Sequence, residues 1–425
     1  MMQALARRFG QNYAFVATGV VFLALLVSAG LRSAPGVLIV PLEHAFGWSR
    51  DAISFSAALG ILLYGLVGPF AAALMQRFGI RRVLLVALAL LAVSTAASSF
   101  MTTPAHLMLT WGVLSGVGSG CVAVVLGAAV VNRWFVARRG LMMGLLTASA
   151  STGTLVFMPI LAWIAESHGW KPVVLTVSAA CTVLIPVAWF LFPERPSDLG
   201  LAPLGGSTDA AAAPARSAEN PLSAAFAALA RAAQTRAFWM LFATFFICGF
   251  TTNGLIGTHF IALCSDRGLT EIRAAGLLAA MGAFDLVGTT LSGWLTDRYD
   301  ARKLLFMYYG LRGLSLVFLP FSDFSFYSLG VFSVFYGLDW IATVPPTVRL
   351  SNEAFGERDA PIVFGWIVAG HQIGAASAAF FAGAMRTVQG DYFYAFIIAG
   401  LTGLVAAALA LQVRTRAAAP RAVAA

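Results

Sequence analysis

Charge is scarce in this sequence. Asp, Glu, Lys and Arg make up 11% of 425 residues, about half the share of a soluble domain, which argues against a water-covered globular surface. Cysteine is rare as well. Cys121, Cys181, Cys248 and Cys264 fall in or beside apolar runs with no CxxC spacing, so a disulfide framework or thiolate metal site is not expected and packing is their expected role. No HExxH motif and no nucleophile paired with a base occurs, which disfavours an intramembrane enzyme; no metal and no cofactor is implied. The run Gly116, Gly118, Gly120 is no nucleotide loop, because no strand precedes it and it lies inside an apolar segment. With Gly112, Ser115 and Ser119 it forms a small-residue face suited to close helix packing.

What is abundant is apolar length. Hydrophobic residues are 60% of the chain and mean hydropathy is +0.84, and runs of spanning length can be marked at 14–40, 52–76, 81–100, 104–131, 138–165, 171–192, 237–263, 271–297, 302–321, 324–349, 359–387 and 391–413. Twelve helices follow. The first run is too long for the core of a cleaved signal and is expected to be retained. The one long polar interruption, 193–236, is rich in Ala, Pro, Ser and Gly and separates six runs from six. It divides the chain into an N-terminal bundle (1–192), a linker (193–236) and a C-terminal bundle (237–425), and its last part could form a short amphipathic surface helix. With the N-terminus inside, 20 of the 27 Lys and Arg fall on the linker's side, five on the other and two (Arg32, Arg312) within spans. The net charge of +9 thus reflects the positive-inside rule and not nucleic-acid binding, and both termini are expected in the cytoplasm.

The halves repeat. Ala72-Ala73-Leu74-Met75-Gln76-Arg77-Phe78-Gly79-Ile80-Arg81-Arg82 follows the second run, and Gly293-Trp294-Leu295-Thr296-Asp297-Arg298-Tyr299-Asp300-Ala301-Arg302-Lys303 follows the eighth. Both read small-x-Leu-x-polar-Arg and then a basic pair, the signature of an internal duplication. In these segments the chain resembles the major facilitator superfamily, whose motif is Gly-x-Leu-x-Asp-Arg-x-Gly-x-Arg-Arg/Lys. That resemblance implies an all-α integral membrane fold of twelve transmembrane helices in two pseudo-symmetric six-helix bundles. It also implies a gating role for Arg77, Arg81, Asp297 and Arg298, which would latch helix ends on the cytoplasmic side; the alternative is that these charges only fix topology. Gln76 stands where the first acid is expected, whereas Asp297 is kept in the second copy, so the charged latch is expected to be stronger in the second half. A narrower resemblance, to the monocarboxylate and oxalate/formate branch, lies in Trp134-Phe135-Val136-Ala137-Arg138-Arg139-Gly140-Leu141-Met142-Met143-Gly144-Leu145. The branch's glycine-tryptophan signature in helix 1 is replaced by Ala29-Gly30-Leu31-Arg32-Ser33, and its Phe-x-Asp-x-x-x-Arg element in helix 8 is matched by Ala283-Phe284-Asp285-Leu286-Val287-Gly288-Thr289, with Thr289 for the arginine.

Few side chains inside the runs can carry chemistry. Of the 18 acids only Asp285 and Asp339 lie near mid-span. A carboxylate there costs at least ~2.5–3.5 kcal/mol on insertion scales, so it marks a wet interior or a functional site. Both are candidates for proton coupling. Arg312 offers Asp339 a fixed ion pair, which would leave Asp285 as the better proton carrier. Arg32 suits a carboxylate through its forked donors, the alternative being a side chain snorkelling to the outer surface. Tyr64, Asn253, Trp340, His371 and Gln372 are further substrate-contact candidates, each also readable as helix packing. Pro345 and Pro346 lack backbone donors and are expected to let the tenth helix bend at an inner gate.

The expected function is a proton-coupled secondary transporter of a small organic anion, a monocarboxylate foremost, working by alternating access as a monomer in the inner membrane of a bacterium. The alternatives are efflux of amphipathic compounds by proton antiport and a transporter-like receptor. The implied partners are a small-molecule substrate, protons and the lipid bilayer, with no nucleic acid.

Overall fold

The computed structural model describes residues 2–136, 138–206 and 221–413. The expectations placed on Arg216, Arg414, Arg416, Arg421 and the middle of the linker lie outside those residues, as do the side chains of Gln76, Arg139 and Arg358. Twelve helices are long and apolar enough to cross a membrane: α1 (Tyr13–Phe46), α2 (Arg50–Phe78), α3 (Ile80–Ser98), α4 (Pro104–Trp134), α5 (Arg139–His168), α6 (Trp170–Leu191), α7 (Arg236–Asp266), α8 (Glu271–Thr296), α9 (Ala301–Phe318), α10 (Phe326–Gly356), α11 (Asp359–Gln389) and α12 (Phe393–Ala410). Each coincides with one expected run. The ends differ where a helix outlasts its apolar stretch. α1 continues through Glu43 and His44 to a left-handed Gly47 (φ 67°), and α10 continues past Arg349 to Gly356 (φ 75°). Glycine adopts such angles without the Cβ penalty, so it ends a helix that polarity alone does not.

Among the described residues there is no strand, only an isolated bridge. In it Val136 N–H donates to Leu204 (2.9 Å) and Leu204 N–H to Trp134 (2.9 Å), pinning the start of the linker beneath α4. The expected linker helix forms at Pro221–Ala233 and docks on α11, where Trp366 Nε1 donates to the Ala225 carbonyl (3.1 Å) and Arg231 pairs with Asp359 (3.0 Å). The membrane side that carries this linker is called the linker face below, and the opposite side the far face.

Small residues set the closest packing. A Cβ on Gly116 of α4 would lie 3.0 Å from the Gly60 backbone of α2, and one on Gly288 of α8 would lie 1.9 Å from the Leu338 carbonyl of α10. Backbones touch there because no side chain intervenes.

The halves meet through α1 against α7, α2 against α11 and α5 against α8. Arg50 bridges to Asp266, Asp51 bonds Thr387, Phe55 packs on Phe380, and Glu166 accepts from Ile272 N–H at the start of α8 (3.1 Å). These contacts lie between midplane and far face, so the halves are closed against each other on that side.

Candidate functional site

α10 is interrupted. Its first part ends at Asp339 and the second begins at Val344, so the intervening backbone groups need partners inside the membrane. They find them. Arg312 of α9 donates through Nη2 to the carbonyls of Asp339 and Trp340 (the latter 3.3 Å), Ser292 Oγ bonds the Ala342 carbonyl (2.5 Å), and Ile341 N–H donates to Asp285 Oδ1 (2.9 Å). Pro345 and Pro346 stand in the first turn of the restarted helix, where a missing N–H leaves no bond broken. This corrects the expectation from sequence: the chain breaks upstream of the prolines, at 340–343, and the prolines start the new helix. α4 carries a corresponding interruption at Val122–Ala123, between Cys121 and Val124.

Two interior acids hold this break, Asp285 directly and Asp339 through Arg312. Asp339 Oδ2 takes Arg312 Nε at 2.6 Å, with the arginine side chain fully buried and Asp339 Oδ1 without a hydrogen-bond partner among the described residues. Arg312 Nη1 reaches Cys248 Sγ (3.0 Å), which also meets Thr343 Oγ1 (3.3 Å). Cys248 is therefore a polar contact of the ion pair and not merely the packing residue expected. Asp285 accepts from Thr289 Oγ1 (2.9 Å) on its own helix, from Ile341 N–H, and from Ser151 Oγ (2.9 Å) on α5 of the other half. Thr289, standing where the resemblance placed an arginine, thus bonds the acid instead of pairing with it as a cation.

Arg32 does not snorkel. Its guanidinium lies 4.3 Å from the Tyr64 ring centroid, and its Nε is buried with no hydrogen-bond partner among the described residues. Gly65, next to Tyr64, lies so close to α11 that a Cβ would stand 2.5 Å from Gln372 Cβ. Arg32 and Tyr64 therefore meet within the N-terminal half, and Gln372 packs on α2 at Gly65, across the seam between the halves. His371 faces inside the C-terminal half, its ring 5.1 Å from Phe245. Asn253 sits half-buried in a wide π turn of α7 (Phe250–Ile256), and a carbonyl of that turn, Thr251, is taken by Tyr336 Oη (2.6 Å). Trp340 packs edge-on against Tyr336 (5.7 Å) at the α10 break.

The basic motifs are bonded within their own halves. Arg81 donates to the Trp189 carbonyl (2.5 Å) and lies over its ring, and Arg77 is exposed beside Phe78. The missing first acid is supplied from a distance. Glu194, after α6, accepts from Ile80 and Arg81 N–H (2.9 and 2.8 Å) at the start of α3 and pairs with Arg133. Gly79 (φ 92°) admits it, since a Cβ there would come within 2.8 Å of its carboxylate. In the second copy Arg298 stacks on Trp294 (4.0 Å), while Asp297 makes no side-chain hydrogen bond or ion pair among the described residues. Asp300 instead caps α9, and its bond to Arg302 holds its carboxyl below the ordinary value. The expectation of a stronger latch in the second half is not met by these contacts: the acid is better bonded in the first. Arg349 covers the α8 end, donating to the Thr296 and Tyr299 carbonyls, a role its sequence position did not reveal.

A family profile described as Major Facilitator Superfamily matches residues 20–349 and 278–424. "Monocarboxylate transporter 13" of Rattus norvegicus is 28% identical over 381 residues, covering 89% of this chain and 83% of the relative. "Gallate transporter" of Pseudomonas putida is 26% identical over 322 residues, 70% and 69% of the two chains. Among solved structures, a bacterial homologue of the human lysosomal transporter Spinster, in an inward-facing and unoccupied conformation, superposes with a TM-score of 0.76 at 16% identity over 95% of this chain and 97% of the other.

Proposed function

Because the chain belongs to the major facilitator superfamily, and is therefore a membrane transporter and not an enzyme, we propose that it carries a small organic monocarboxylate together with a proton by alternating access. The observation that carries this reading is Arg32, a permanent cation over Tyr64 with a buried, unused Nε. Stacking occupies the face of a guanidinium and leaves its in-plane donors for a carboxylate, which two parallel N–H bonds recognise. Gln372, packed across the seam on Gly65, is the proposed contact from the other half, so a substrate held by both would tie the bundles together. The names of the two sequence relatives, a monocarboxylate and a gallate transporter, agree with a carboxylate cargo.

Asp285 is the proton carrier in this reading. Each of its three donors stabilises the charged carboxylate, and one of them, Ser151, belongs to the opposite half. Parting of the halves at the far face removes that donor and opens the carboxylate to protons from that side, while closure restores the bond and shuts that access. Asp339, pinned by Arg312, holds the α10 break in place. The two bundles, 1–192 and 237–425, would rock about this midplane, with Arg77, Arg81, Asp297, Arg298 and the Pro345-Pro346 turn at the inner gate. The linker face is the cytoplasmic one by its excess of Lys and Arg, in a bacterial inner membrane.

The test is thermal stabilisation of the purified transporter by a panel of acids and neutral solutes. Small monocarboxylates stabilise the wild type, and Arg32→Ala weakens their binding at least tenfold, about 1.4 kcal/mol. Stabilisation by lipophilic cations, or carboxylate binding untouched in Arg32→Ala, contradicts the reading.

A further inference from the structure

A second polar cluster lies at the far face, away from Arg32 and Asp285. Arg50, the first residue of α2, is 5% exposed. Its Nη1 and Nη2 donate to the two carboxylate oxygens of Asp266 at the end of α7, both at 2.7 Å, across the halves. Each partner of this bridge also has a partner in its own half: Arg50 Nε donates to Glu43 Oε2 of α1 (2.8 Å), and Asp266 Oδ2 accepts from Arg386 Nε of α11 (2.8 Å).

A neutral relay backs the bridge. Arg50 Nη1 donates to Tyr392 Oη (3.2 Å), whose hydroxyl stands 3.1 Å from His259 Nδ1, and His259 Nε2 lies 2.7 Å from the Ala379 carbonyl. A carbonyl only accepts, so Nε2 carries the hydrogen and Nδ1 takes the one from Tyr392. Burial pushes the Tyr392 phenol up to about 12, which keeps that hydrogen in place.

Splitting a buried ion pair is costly when it strands a charge. Here nothing is stranded. Opening at Arg50 and Asp266 divides the cluster into Glu43 with Arg50 and Asp266 with Arg386, two pairs that already exist in the closed state. We propose that these four residues form a charge-balanced far-face gate, in which the bridge between halves holds the gate shut and the two pairs within halves keep it openable. This rests on the alternating-access part of the function above and not on the identity of the cargo. The partners then have opposite effects: losing the bridge favours the open state, whereas losing Glu43 or Arg386 leaves a charge with no partner except across the gate and favours the closed state.

The experiment measures far-face separation in the full-length transporter in nanodiscs, with spin labels on cysteines introduced at the exposed Thr102 and Gln389. Asp266→Asn is expected to raise the open population at least fivefold. Glu43→Gln and Arg386→Gln are each expected to lower it at least fivefold. Shifts of the same sign in all three variants, or distances that respond to bulk pH yet not to these variants, overturn the gate while leaving alternating access standing. A wild-type distance that never moves overturns both. If Asp266→Asn does not fold, Glu43→Gln and Arg386→Gln keep the bridge intact and decide the matter by themselves, a lowered open population supporting the gate and an unchanged one overturning it.

Discussion

Arg312 shows how one side chain can carry several backbone obligations. It satisfies two carbonyls of the α10 break, a carboxylate and a thiol while fully buried. Its removal strands Asp339 in an apolar interior, and losing one partner of a buried pair costs on the order of 3–5 kcal/mol. Arg312→Met is therefore expected to lower the unfolding temperature in detergent sharply, and adding Asp339→Asn is expected to recover part of the loss; equal stability of wild type and Arg312→Met would refute this role. At this scale the sequence is informative where chemistry is rare. Asp285, Asp339, Arg312 and Arg32 stand out because an ionised group inside an apolar run needs a reason. Arg50, Asp266 and Glu194 do not stand out, because at a helix end a charge reads as solvated; only the fold brings Arg50 to Asp266 and Glu194 to the start of α3.

Helices are legible from apolar length, and all twelve lie where hydropathy puts them. Their interruptions are less legible. Pro345 and Pro346 draw attention to the right helix but to the wrong residues, since proline in a first turn is compatible with a helix while the break falls at 340–343, with no proline in it. The matching interruption of α4, at Val122–Ala123, carries no composition signal. Replacing both prolines by alanine is expected to leave substrate binding intact and to slow transport, measured as equal affinity with a reduced exchange rate; parallel losses of both would argue against a gating turn. Gly288→Ala should be far more damaging. Its methyl would meet the Leu338 carbonyl at 1.9 Å, where overpacking costs typically ~1–3 kcal/mol or more, and the yield of folded protein and its unfolding temperature report the effect.

At the scale of the whole molecule, two six-helix halves are closed against each other at the far face and joined by a linker at the other. Their duplication is written in the two basic motifs and in the paired interruptions of α4 and α10. Alternating access needs a midplane that both halves share, and Gly65 against Gln372 and Ser151 with Asp285 join the halves there. The most direct measurement is accumulation of a labelled small monocarboxylate in proteoliposomes under an imposed pH gradient. Wild type should accumulate it uphill, driven by the gradient. Asp285→Asn should still exchange substrate across the membrane at equal pH but fail to accumulate it; undiminished accumulation in Asp285→Asn, or wild-type uptake indifferent to the gradient, would contradict proton coupling through this site.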